Sequence, residues 1–173
     1  MLPNLSPQLS ARLDTANRTI YILWLALTAS ICVYGGVVFM IASTADGQAT
    51  PLPLPPFLFP MLAFMQAIAG MVMYRHMTGP DRVRAVLNEP PATDPQLSEA
   101  EQRLSRVPGL IFTASIIRWA LFESVAVLGL VLGITERSFQ AFVPYGVTAL
   151  ALMAMTPPKL RQVTESALPL MPP

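Results

Sequence analysis

Residues 19–43 read TIYILWLALTASICVYGGVVFMIAS, an unbroken stretch without one charged side chain. A helix crosses the ~30 Å hydrocarbon core of a bilayer with about 20 such residues. The stretch is also much longer than the ~7–15 residues of a signal-peptide core, and it starts late, so it reads as a span and not as a cleaved leader. Three more segments follow by the same reasoning: 54–75, with its apolar body from Leu54 to Tyr74; 109–135, which carries Arg118 and Glu123; and 138–158, whose body is Phe139 to Pro157. The predicted fold is all-α: a polytopic membrane protein with four transmembrane helices arranged as two repeated hairpins, plus a short amphipathic helix in the loop between them. It is read as a single membrane domain over 1–173, in which 1–18, the 76–107 loop and the 159–173 tail lie outside the spans.

Composition agrees. The chain has 173 residues, of which 53% are hydrophobic and 12% charged, with a mean hydropathy of +0.52. Soluble domains carry about 25% charged residues. The net charge of +1 gives no basic excess for nucleic acid. A single cysteine excludes a disulfide framework and a thiolate zinc site. Eighteen prolines do not make the chain disordered, because disordered chains are poor in apolar residues.

Basic residues set the orientation. Arg12 and Arg18 precede the first span; Arg75, Arg82, Arg84, Arg103 and Arg106 follow the second; Lys159 and Arg161 follow the fourth. The two remaining loops hold only Arg137. The positive-inside rule then puts both termini and the 76–107 loop in the cytoplasm, with the bacterial inner membrane as the expected location.

Local signals place helix ends. Ser6-Pro7 starts a helix expected to run into the first span. Pro51, Pro53, Pro55 and Pro56 give an extended approach to the second, and Pro60 and Pro144 fall within the first turns of spans two and four. In the loop, Gly79-Pro80-Asp81 breaks the chain before the helical run RVRAVLN, and Pro90-Pro91 ends it. Asp94 is the expected cap, with Pro95 in the first turn, of a helix whose Leu97, Ala100, Leu104 and Val107 share a face. It either lies on the membrane surface or docks a partner. The tail 168–173 reads as disordered.

An internal repeat supports the hairpin arrangement. Ile22–Val38 over Ile116–Leu132 gives seven identities in seventeen positions, among them Ser30/Ser124 and Gly35/Gly129. Ala29 then stands opposite Glu123. The small residues Ala29, Ser30, Gly35, Gly36, Ser124 and Gly129 suit close helix packing, within the bundle or between protomers.

Glu123 is the leading candidate site residue, because an unpartnered charge within a span costs at least a few kcal/mol. Alone in hydrocarbon the carboxyl takes up a proton; beside a guanidinium it stays ionised. Arg118 is five residues earlier, about 140° round the helix, so it shares no face with Glu123. Gln66, Ser30, Thr28 and Thr148 are the other candidate partners. A polar centre of Glu123, Arg118 and Gln66 serves either as a clasp holding the bundle in register or as an ion-binding site.

The run ALFESVAVLGLVLG, 120–133, resembles the ion-binding helix of the rotary ATP synthase c subunit and of its duplicated relative, vacuolar-type ATPase subunit K. Glu123 matches the ion-carrying glutamate of that family, and Gly129-Leu130-Val131 the step that follows it. In the K type one hairpin can lack the carboxylate, as Ala29 does here. The resemblance covers about fifteen residues twice, and implies a proton- or cation-translocating oligomer. Span two departs from the family's glycine-rich partner helix, and the family's short polar loop is replaced by about thirty residues.

Met71, Met73, His76 and Met77 form a soft-ligand cluster suited to copper(I), or ordinary apolar filling at the end of a span. Cys32 reads as a small apolar residue. The chain carries no nucleotide-binding or metalloprotease motif and too few polar groups in its spans for an embedded enzyme, so neither enzymatic activity nor a cofactor is expected. Three functions remain open: a small non-catalytic subunit or accessory protein of a larger membrane complex; an ion-translocating oligomer of the c/K kind using Glu123; and a copper-handling protein using Met73, His76 and Met77. The expected partners are the lipid bilayer and either other membrane-protein subunits or further copies of the chain, with no nucleic acid.

Overall fold

A computed structural model describes residues 6–44, 54–90, 97–160, 162 and 164. Among them the elements are all helical: α1 (Pro7–Thr44), α2 (Leu58–Thr78), α3 (Pro80–Asn88), α4 (Glu99–Leu104), α5 (Val107–Thr135) and α6 (Phe139–Met155).

Helix α1 starts as expected. Pro7 occupies its first position, where a missing N–H costs nothing, and the Ser6 hydroxyl accepts the Leu9 N–H at 3.3 Å. No proline or glycine interrupts 8–34, so the N-terminal helix and the first span are one element of 38 residues, ~57 Å long. Pro60 is the third residue of α2, within its first turn. Pro144 is the sixth residue of α6, one turn deeper than expected. Proline also opens α3, directly after Gly79.

Helix α4 begins later than the Asp94 signal suggests. Asp94 and Pro95 lie outside the described residues, and the cap is Ser98. Its side chain accepts from Glu101 N while the Glu101 carboxylate accepts from the Ser98 N–H, a reciprocal capping box. The expected amphipathic face is divided: Leu97 and Leu104 are buried, Val107 is buried but belongs to α5, and Ala100 is exposed. Helix α5 ends on Arg137, whose φ of 49° is left-handed. The Ser138 N–H reaches back to Gly133 O at 3.0 Å and the Arg137 N–H to Ile134 O at 3.3 Å. This is a Schellman stop with arginine where glycine is usual.

The chain divides into two compact units, 1–22 with 73–117 and 158–173, and 23–72 with 118–157. In the first, Val83 and Leu87 of α3 pack with Val107 and Ile111 of α5 in a small apolar core. The Glu101 carboxylate also accepts the Ser6 N–H at 2.8 Å and the Ser98 hydroxyl at 2.9 Å, so one side chain serves the starts of α1 and α4. The Ser6 hydroxyl, then the N–H groups of Ser6 and Ser98, hold its carboxyl well below the usual range, at about 2. On the same unit's surface Arg106 pairs with Glu89 at 3.1 Å, an exposed pair worth ~0–1 kcal/mol.

The second unit is inverted relative to a soluble protein. Buried positions recur at steps of three and four: Ile31 and Val38 on α1; Phe122, Val125, Ala126 and Gly129 on α5; Phe142, Gly146, Ala149 and Met153 on α6. The opposite faces expose large apolar side chains, including Val33 at 61%, Phe64 at 66%, Val147 at 58% and Met155 at 77%. In water such faces would drive association; in hydrocarbon they are the stable arrangement. Three helices, α1, α2 and α5 with the residues leading into it, are long and apolar enough to cross a membrane. Helix α6 is apolar but shorter, 17 residues.

The helices of this unit approach closely where the sequence is small. A Cβ on Gly129 would lie 2.6 Å from Tyr145 Cβ and 3.2 Å from Phe142 O, and one on Gly35 would lie 3.0 Å from the Phe142 ring. An added Cβ on Gly36 would meet nothing within 4 Å and Ala29 is exposed, so neither of these two expected packing residues is buried between helices.

Candidate functional site

Helices α1 and α5 meet at the one carboxylate within the apolar unit's helices. Ser30 and Tyr34 are four residues apart on α1, hence on one face, and both turn to Glu123 on α5. Glu123 Oε1 lies 2.5 Å from Ser30 Oγ and 2.8 Å from the Tyr34 hydroxyl, which donates to it. Of the partners proposed from sequence, Ser30 is joined to the carboxyl. Gln66 Oε1 is buried without a hydrogen-bond partner among the described residues. Tyr34 was not anticipated, although its spacing from Ser30 is a legible signal.

Proton counting gives this site its chemistry. Ser30 Oγ lies 2.5 Å from Glu123 and 2.7 Å from Leu27 O, two acceptors for one hydroxyl proton. With Glu123 ionised, Ser30 turns its proton to the carboxylate and leaves Leu27 O. With Glu123 protonated, the carboxyl donates to Ser30 and Ser30 donates to Leu27 O. Either state is hydrogen-bonded without movement of heavy atoms.

Arg118 works elsewhere. Its Nη2 donates to Thr156 O at 3.4 Å, and its guanidinium carbon lies 6.0 Å from the centre of the Trp119 ring. The Trp119 indole N–H donates to the same carbonyl at 3.0 Å, and the Trp24 indole N–H to Met153 O at 3.2 Å. Pro157-Pro158 stops α6 here, leaving its last carbonyls without helical donors. The Thr156 N–H also reaches Met153 O at 3.1 Å, and two indoles and a cation supply the rest of the donors here; the cation also suits the negative end of the helix dipole.

The remaining candidates are dispersed. Ser124 Oγ donates to Leu121 O of its own helix at 2.7 Å. Met73 and His76 are exposed and Met77 half-buried, on one face of α2; Cys32 is exposed. Among the described residues no cluster of three or more His, Cys, Asp or Glu is placed to hold a metal. Compared with known proteins, the chain matches no family model, no curated protein and no solved structure.

Proposed function

We propose that the protein is a small non-catalytic subunit or accessory component of a larger membrane complex, crossing the bilayer four times as two related hairpins, with both termini and the 76–107 segment in the cytoplasm. One observation carries this reading: six of the polar side chains within the apolar unit join one helix to another. Ser30 and Tyr34 tie α1 to Glu123 of α5, and Trp24, Arg118 and Trp119 tie α1 and α5 to the end of α6. The fourth crossing is supported by length. Helix α6 spans ~26 Å, close to the ~27 Å that α5 covers from Arg118 to Thr135. The apolar row of α2, with Phe57 leading into it and Met61, Phe64, Met65 and Ile68 along it, is exposed and is the surface offered to neighbouring subunits or to lipid. Native mass spectrometry after mild detergent extraction is the test. A stoichiometric membrane partner is expected; a monomer released without one refutes the assignment.

A second reading is a c/K-like oligomer that carries a proton or cation on Glu123. The two hydrogen-bonding states open to Ser30 favour it. A hydrophobic carbodiimide reacts with protonated carboxyls, so labelling of Glu123 should fall as pH rises. Labelling that is absent, or indifferent to pH, counts against this reading.

A further inference from the structure

The apolar unit carries its own marker of depth. Trp24 reaches Met153 O, while Trp119 and Arg118 reach Thr156 O, so α1, α5 and the end of α6 are level at these residues. Helix α2 joins the same level at Gly70, where an added Cβ would lie 3.3 Å from Arg118 O. The protein's two tryptophans both sit at this level. From here most of the exposed large apolar side chains extend in one direction along the helices, to Met40 on α1 and Ile134 on α5; in the other direction they stop within about one turn, at Tyr21 on α1 and Met73 on α2.

In the other direction the first charges are all basic. Arg18 lies six residues before Trp24, ~9 Å along α1, and Arg75 lies five residues after Gly70, ~8 Å along α2. Lys159 follows Thr156 by three residues. All three are exposed. The nearest acidic side chains on the same segments, Asp14 one turn beyond Arg18 on the same face of α1 and Asp81 six residues beyond Arg75, both lie farther from the tryptophan level than the basic residues do. At the opposite end of α5 the exposed charges are mixed, Glu136 beside Arg137. A headgroup layer is ~5–8 Å deep on each side of the hydrocarbon, and long basic side chains reach into it.

We infer that the level of Trp24, Arg118 and Thr156 is the cytosolic edge of the hydrocarbon, and that Arg18, Arg75 and Lys159 bind the phosphates of anionic phospholipids there. The inference rests on the membrane assignment above and adds a register and a ligand class. It moves the water boundary inward from residues 19 and 109 to about 23 and 118, and places Glu123 ~8 Å inside that edge instead of at mid-bilayer.

Full-length protein is reconstituted in vesicles of phosphatidylcholine with or without phosphatidylglycerol, and lipids retained after extraction are counted by native mass spectrometry. Wild type should retain phosphatidylglycerol preferentially. One basic residue near an anionic surface strengthens association about fivefold, so the Arg18→Gln/Arg75→Gln/Lys159→Gln variant should lose on the order of a hundredfold. Arg82→Gln/Arg84→Gln should keep the preference. No preference in wild type, or equal loss in both variants, overturns the lipid site. Tryptophan quenching tests the register: bromines near the headgroup should quench more strongly than mid-chain bromines, and the reverse order overturns it. Protein that fails to stay in the vesicles overturns the membrane assignment itself, which separates that failure from the other two.

Discussion

Gly129→Ala tests whether α5 and α6 touch as closely as described. The new methyl would lie 2.6 Å from Tyr145 Cβ, an atom fixed to its backbone, and 3.2 Å from Phe142 O. Carbon atoms rest at ~3.5–4.0 Å, so the helices must part by about 1 Å or distort. Overpacking of this kind costs ~1–3 kcal/mol. Alanine also gains up to ~1 kcal/mol over glycine in a helix, which hides part of the cost. Gly36→Ala isolates that gain, because nothing lies within 4 Å of its added Cβ. The difference between the two variants then reports the clash alone, ~1–3 kcal/mol. Thermal unfolding in one detergent, followed by circular dichroism, should show Gly129→Ala several degrees below Gly36→Ala. Equal midpoints, or the lower midpoint for Gly36→Ala, would refute the packing argument.

Replacing Arg137 by glycine should raise stability by ~0.5–1 kcal/mol, since the left-handed stop then carries no Cβ; a lower melting point contradicts the Schellman geometry. Trp24→Phe should cost ~0.5–1.5 kcal/mol, since Met153 O loses the indole N–H but keeps the Thr156 N–H, with Trp119→Phe similar; an unchanged midpoint argues against the cap. Glu101 is held ionised down to about 2 by the Ser6 and Ser98 donors. A depressed carboxyl stabilises above its ordinary range and loses that contribution as pH falls through the folded value. Amide-exchange protection at the start of α1 should therefore hold from neutral pH to about 4.5 and decline toward 2, and Glu101→Gln should remove that decline. Protection that is flat in both proteins dismisses the shared cap.

The long apolar windows revealed the existence and type of the helices, because an uncharged run of this length admits few other structures. The extent of α1 is legible from two signals together: Ser6-Pro7 marks its start, and the uncharged window from Thr19 marks the span it runs into; Leu9 and Leu13 are buried ahead of that window. The start of α4 was encoded in Ser98 and Glu101, a capping box overshadowed by the Asp94-Pro95 signal. The stop at Arg137 was not legible, since arginine seldom takes a positive φ. Ser30 was legible as a partner of Glu123 because both belong to spans short of other polar groups. The indole bonds of Trp24 and Trp119 were not, because their acceptors are backbone carbonyls 129 and 37 residues away, freed by a helix end that sequence alone does not register.

Helix α1 holds its turns without proline or glycine from Gln8 to Tyr34. A boundary between water and hydrocarbon falling anywhere along those turns meets an unbroken ladder of carbonyls and N–H groups, so the crossing strips no peptide group of its partner.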